Sequence, residues 1–105
     1  MIVTFEKEYL KELYELGKTN NKKYRFQPNI VHRYKRCIDI MLHVSDVIAL
    51  CKYNGLNFEK LSGNKKDLCS VRVNDQYRIE FTIMEMQGEV VTTICNIIEL
   101  SNHYK

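Results

Sequence analysis

A chain of 105 residues, 45% hydrophobic and 28% charged, with one proline and four glycines, has room for one packed core and is too short for a second unit. That composition excludes a disordered or low-complexity polymer. The formal charge of +3 is modest, and no apolar run approaches about 18 residues, which excludes a membrane span. Glu6 interrupts the apolar start Met1-Ile2-Val3, so no signal peptide is read there and the protein is expected to stay in the cytoplasm.

In chain order, Met1 to Phe5 is an apolar piece suited to an edge strand, and Thr4 with Glu6 and Glu8 offers a cap and early acids for a helix. Tyr9, Leu10, Leu13, Tyr14 and Leu16 recur at helical spacing, with Lys7, Lys11, Glu12 and Glu15 opposite, until Gly17 and Thr19-Asn20-Asn21 stop the helix. From Lys18 to Arg36 the chain carries Lys18, Lys22, Lys23, Arg25, Arg33, Lys35 and Arg36 without an acid. Such a block is either a solvated face or a surface for phosphate or an acidic partner. Pro28 suits a first helical turn, and Ile30, Val31, Tyr34, Ile38, Met41 and Leu42 repeat every three or four residues behind it. Ser45-Asp46 caps a short segment from Val47 to Cys51, which ends at Asn54-Gly55.

A sheet follows. Cys69, Val71 and Val73 share one strand face against Ser70 and Arg72, Asn74-Asp75 is a turn, and Tyr77, Ile79, Phe81 and Ile83 then alternate with Arg78, Glu80, Thr82 and Met84. Gln87-Gly88 turns the chain into Val90 to Leu100, which is β-branched enough for a long, largely buried strand. By alternation alone, Arg78 and Glu80 fall on a solvated polar side and Tyr77 in the core. Cys37, Cys51, Cys69 and Cys95 lie scattered in apolar segments with no C-x-x-C pair, so buried reduced thiols are expected. His32, His43 and His103 do not stand at metal-ligand spacing from them, and His32 and His43 are expected at the surface.

The stretch Leu61-Ser62-Gly63, then Ser70-Val71-Arg72-Val73-Asn74-Asp75-Gln76-Tyr77-Arg78-Ile79-Glu80-Phe81, then a strand closing on Asn102-His103-Tyr104, resembles the RelE/ParE superfamily of bacterial toxins in its HigB-like branch. The resemblance implies an α+β fold over residues 1–105, with two N-terminal helices packed on one face of a small antiparallel sheet that is mixed at its edge strand. It implies the toxin of a type II toxin-antitoxin pair, a ribosome-dependent endoribonuclease that cuts translated mRNA without metal or other cofactor. The implied partners are a cognate antitoxin of helix-turn-helix type, the ribosome and mRNA, with no membrane. ParE-like members act on DNA gyrase and do not cut RNA, so a gyrase inhibitor and an attenuated, non-cleaving member are the alternative readings.

Cleavage by the 2′-hydroxyl of RNA itself needs a base for that hydroxyl, a cation on the charged phosphorane and an acid for the departing 5′-oxygen. The resemblance places Arg72 and Arg78 on the phosphate, where guanidinium groups donate forked hydrogen bonds and keep their charge. His103 titrates near neutrality when unperturbed and is the candidate acid or base, with Glu59 as the complementary base. Tyr104 or Tyr77 would stack on a nucleobase, and Lys65, Lys66 and Asn102 complete the candidate substrate contacts. Glu59 and Ser62 stand where the HigB branch has histidine and lysine, and Ser101-Asn102-His103 where it ends in Asp-Tyr-His.

Overall fold

The structure is a computed structural model that describes residues 1–65 and 67–102. Strand β1 (Ile2–Phe5) leads into helices α1 (Glu8–Leu16), α2 (Pro28–His43) and α3 (Val47–Cys51); strands β2 (Glu59–Lys60), β3 (Cys69–Arg72), β4 (Arg78–Met86) and β5 (Thr92–Ser101) follow. Among the described residues these strands form one sheet in the order β1-β5-β4-β3-β2. β1 runs parallel to β5, with Ile2 opposite Ile94 and Phe5 opposite Ile97, and the other pairs are antiparallel. The fold is the expected α+β arrangement with a mixed edge.

Three helix boundaries have local causes, and the start of α1 has a distant one. Thr4 does not cap α1: it lies within β1, where its hydroxyl donates to Asn96 Oδ1 at 2.8 Å across the parallel pair. α1 therefore starts only after Lys7, which caps it without a side-chain bond. At its other end Gly17 takes φ 76° and donates its N–H to the Leu13 carbonyl, a left-handed cap that suits a residue without Cβ. Pro28 opens α2 as its spacing predicted, and Asp46 Oδ1 accepts from the Ala49 N–H at 2.8 Å to start α3.

The helices meet the sheet on one face. Leu10, Leu13, Tyr34, Ile38, Met41 and Leu50 are buried with Val71, Ile79, Phe81, Cys95 and Ile97 in one apolar cluster. Tyr34 is fully buried and its hydroxyl donates to the Leu10 carbonyl at 2.7 Å, which fixes α1 on α2 without leaving a polar atom stranded.

One irregularity decides what the far end of the sheet presents. Glu80 is opposite Glu99 but Phe81 is opposite Ile97, so Ile98 is an extra residue in β5. An unbroken two-residue period would carry the inward face from Cys95 and Ile97 on to Glu99. The bulge instead turns Leu100 into the core and sets Glu99 and Ser101 on the face away from the helices.

Two expectations change, and one strand was not expected. β5 begins at Thr92, while Val90 and Val91 are 75% and 55% exposed at the hairpin end, outside the sheet. Cys37, Cys69 and Cys95 are buried, but Cys51 is exposed, because α3 is five residues long and Leu50 takes its inward position. The two-residue strand β2, with Glu59 opposite Ser70, had no periodic signal to announce it.

These burials have measurable consequences. In the folded protein a thiol reagent should label Cys51 rapidly and Cys37, Cys69 and Cys95 only on unfolding; fast labelling of more than one thiol would contradict the packing. Burial pushes Cys37 and Cys95 from 9.0 up to about 11, and Tyr9 from 10.0 up to about 12. The folded state thus keeps protons that the unfolded chain releases: the stability from the two thiols is full below pH 9 and lost as pH rises through 11, and that from Tyr9 is full below pH 10 and lost as pH rises through about 12. The urea midpoint should fall steadily over that interval, and a flat profile would show that these groups ionise freely in place.

Candidate functional site

The sheet face turned away from the helices is built by alternation: Ser70 and Arg72 from β3, Arg78 and Glu80 from β4, Glu99 and Ser101 from β5. Alternation alone made this a solvated side. The structure corrects that, because Arg78 is 7% exposed, Glu80 2%, Ser101 2% and Ser70 fully buried. Ionised groups are held in such a position only when partners replace their water.

Arg78 has those partners. Its Nε donates to Ser70 Oγ at 2.8 Å, and a terminal nitrogen donates to the Ser70 carbonyl at 3.4 Å and to the Asn57 carbonyl. Asn57 adopts φ 45°, a left-handed conformation that asparagine tolerates better than most residues, and in it the Asn57 carbonyl reaches the guanidinium. β2 sets Glu59 opposite Ser70, which brings Glu59 Oε2 to 4.0 Å from Arg78. A guanidinium does not lose its proton here, so this is a fixed positive charge in a fixed orientation.

The second charge pair comes from the turn before β3. Gly63, at φ 67°, opens the single 3-10 turn Gly63–Lys65, and Lys65 Nζ meets Glu80 Oε2 at 2.7 Å. Lys65 is 40% exposed while Glu80 is 2% exposed. One end of the pair is dry and the other faces solvent.

The structure thus brings Arg78, Glu59 and Lys65 onto one face, with Asn102 exposed just past Ser101, the residue opposite Arg78. Arg72 is the cross-strand neighbour of Arg78, yet its guanidinium pairs with Asp75 in the following turn. Tyr77 lies on the opposite face, half-buried against the core and edge-to-face with Phe26 at 5.7 Å, so it is not among the groups around Arg78. Its alternation with Ile79 and Phe81 had pointed to that core role. Lys66, His103 and Tyr104 lie outside the described residues.

Sequence reasoning missed Glu80, Ser70 and Asn57 as parts of the site. Ser70 and Glu80 could have been suspected from a strand pair that alternates Ser-x-Arg with Arg-x-Glu, since opposed polar residues on one face can satisfy one another. The Asn57 carbonyl carries no such signal, because its role depends on a backbone angle.

Comparison with known proteins shows the family and the fold. Residues 3–96 match the family described as RelE-like toxin of the type II toxin-antitoxin system HigB. Toxin HigB-1 of Vibrio cholerae serotype O1 is 35% identical over 85 residues, which span 77% of this chain and 82% of that protein. A YoeB/ParE toxin from Agrobacterium tumefaciens superposes with a TM-score of 0.61 at 13% identity, covering 99% of this chain and 100% of the other, which shows a shared fold. With the family match spanning most of its length, the chain belongs to the HigB-like toxins and is the toxin component of a type II toxin-antitoxin system.

Proposed function

We propose that this toxin stops translation by cutting mRNA bound in the ribosome, using the 2′-hydroxyl of the RNA as nucleophile and no metal. RelE-like toxins of its family are typically endoribonucleases. The observation that carries the reading for this chain is the Arg78 guanidinium, held against Ser70 and Asn57 and flanked by Glu59 on a polar face. A cation fixed before substrate arrives costs little reorganisation when charge develops on the phosphorane.

The roles follow from exposure and reach. Arg78 stabilises the phosphorane, and Lys65, with its solvent-facing end, adds a second cation on the same oxygens while Glu80 keeps it in place. Glu59, 58% exposed beside Arg78, takes the 2′-proton. His103, assigned from the sequence, gives the proton to the leaving 5′-oxygen. So sparse a set of groups borrows substrate positioning from the ribosome, and its action belongs in the cytoplasm beside a helix-turn-helix antitoxin. Among the described residues no helix is long and apolar enough to cross a membrane.

Two sets of variants test this. After induction, RNA ends should map within translated codons and vanish when ribosomes are removed, and Arg78→Lys should lower cleavage by about 10²–10³-fold. Lysine keeps the charge but not the forked contacts, so its melting temperature should be recorded beside Arg78→Ala, which also frees the Ser70 and Asn57 acceptors and should lose stability. Intact mRNA with gyrase trapped on broken DNA would instead establish the ParE-like reading.

The Lys65 and Glu80 pair gives an asymmetric prediction. Glu80→Gln should cost about 1–3 kcal/mol of stability, because water can resolvate the exposed lysine. Lys65→Met should cost more, since it takes the ammonium group from a carboxylate that stays buried. Equal small losses in denaturant titrations would show that the pair holds nothing in place.

A further inference from the structure

Outside the Arg78 site, a concentration of cationic side chains surrounds hollows lined by both α2 and the end of β3. Two adjoining hollows of about 480 Å³ each share Arg33 and Arg72; Arg36 and Asn54 line the first, and Asn29 and Gln76 the second. Arg33 and Arg36 stand three residues apart on one face of α2 and are exposed, and no carboxylate is paired with either among the described residues. Asp75, paired with Arg72, is the acid that lines these walls.

From these observations we infer that the hollows form one phosphate-binding groove, which holds the single-stranded RNA backbone on the far side of Arg72 from the cleavage site. The inference rests on the ribonuclease reading above and extends its substrate contacts beyond the reacting phosphate. Its physical basis is continuity: Arg72 lines both hollows and is the cross-strand neighbour of Arg78, and opposed Cα atoms in antiparallel strands are about 4.5–5.5 Å apart. A strand with one phosphate at Arg78 would next meet Arg72 and then Arg33, and the acid it passes, Asp75, is already paired with Arg72.

The groove has a rigid base. Tyr34, Cys37 and Ile38 are buried on the inner side of α2, and the Cys37 thiol donates to the Arg72 carbonyl at 3.6 Å, joining helix to strand beneath the arginines. Arg33 and Arg36 are thus carried on a packed helix rather than on a loop. The chemistry of the walls favours nucleic acid over an acidic protein. Guanidinium forks match phosphate oxygens, and the amides of Asn29, Asn54 and Gln76 suit sugar and base edges. A protein interface would centre on exposed aromatic or large aliphatic anchors, whereas the apolar residues of the floor here, Cys37, Leu56 and Val73, are buried.

The test uses the full chain and a short 2′-O-methylated RNA, which cannot be cut, with affinity read by fluorescence anisotropy over a range of salt concentrations. Each phosphate contact on a single strand contributes about 0.7 to the slope of log affinity against log salt. The double variant Arg33→Gln, Arg36→Gln should therefore lose about 1.4 from the wild-type slope. A control, Lys22→Gln with Lys23→Gln, removes the same charge from the 3-10 turn Lys22–Tyr24 outside the groove and should keep the slope. Equal losses in both variants, an unchanged slope in the groove variant, or a wild-type protein with no salt-dependent RNA binding would each overturn the inference. Loss of antitoxin affinity with an unchanged RNA slope would overturn it in favour of a protein interface. Ribosome-dependent cleavage is measured separately: a wild-type chain that cuts while the groove variant keeps its slope defeats the groove alone. One that never cuts while the slope falls defeats the nuclease reading alone.

Discussion

A permanently charged guanidinium at 7% exposure is the constraint around which the polar side of this toxin is arranged. Arg78 cannot shed its proton to escape burial, so its surroundings must supply acceptors. They come from two pieces of chain: the Ser70 hydroxyl and carbonyl on β3, and the segment entering β2, which brings the Asn57 carbonyl from a left-handed conformation and then the Glu59 carboxylate. The short β2 edge and the backbone angle of Asn57 look like incidental loop features. Both are what bring oxygen to Arg78.

The two faces of the sheet make opposite demands, and the bulge in β5 reconciles them. The helix side needs apolar residues along the whole strand, and it obtains Cys95, Ile97 and then Leu100. The other side needs a small polar residue opposite Arg78, and it obtains Ser101. These two requirements differ in parity along β5, and one extra residue at Ile98 shifts the phase between them. Behind the sheet, the Tyr34 hydroxyl on the Leu10 carbonyl and the buried stripe of α2 hold the platform to which both faces belong.

The charges of the site are graded from dry to wet. Glu80 and Arg78 are buried and cannot easily reorient, while Lys65 at 40% exposure and Glu59 at 58% meet solvent. Such a gradient keeps one charge in place and leaves its neighbours open to solvent. Buried Ser101 lies opposite Arg78, and Glu59 sets a carboxylate on the β2 side of the same arginine.

The chain's own sequence determined the repetitive parts of this protein. The helical stripe from Ile30 to Met41, the Asp46 cap and the alternation from Ile79 to Ile83 are local patterns, and each residue's neighbours along the chain are enough to reveal them. The resemblance of the motif around Arg78 is what proposed it as a site residue. Tertiary structure alone decided the rest. Thr4 looked like a helix cap until a strand some ninety positions away in sequence offered it Asn96, and Glu80 looked solvated until Lys65 arrived from a turn fifteen positions upstream. Cys51 and Val90 had the composition of buried residues but stand where the element is too short or already past the sheet edge. The physical reason is common to all four. Burial and charge pairing are properties of what the fold places beside a residue, and a phase shift such as the one at Ile98 is set by the neighbouring strand, which periodicity along a single segment does not contain.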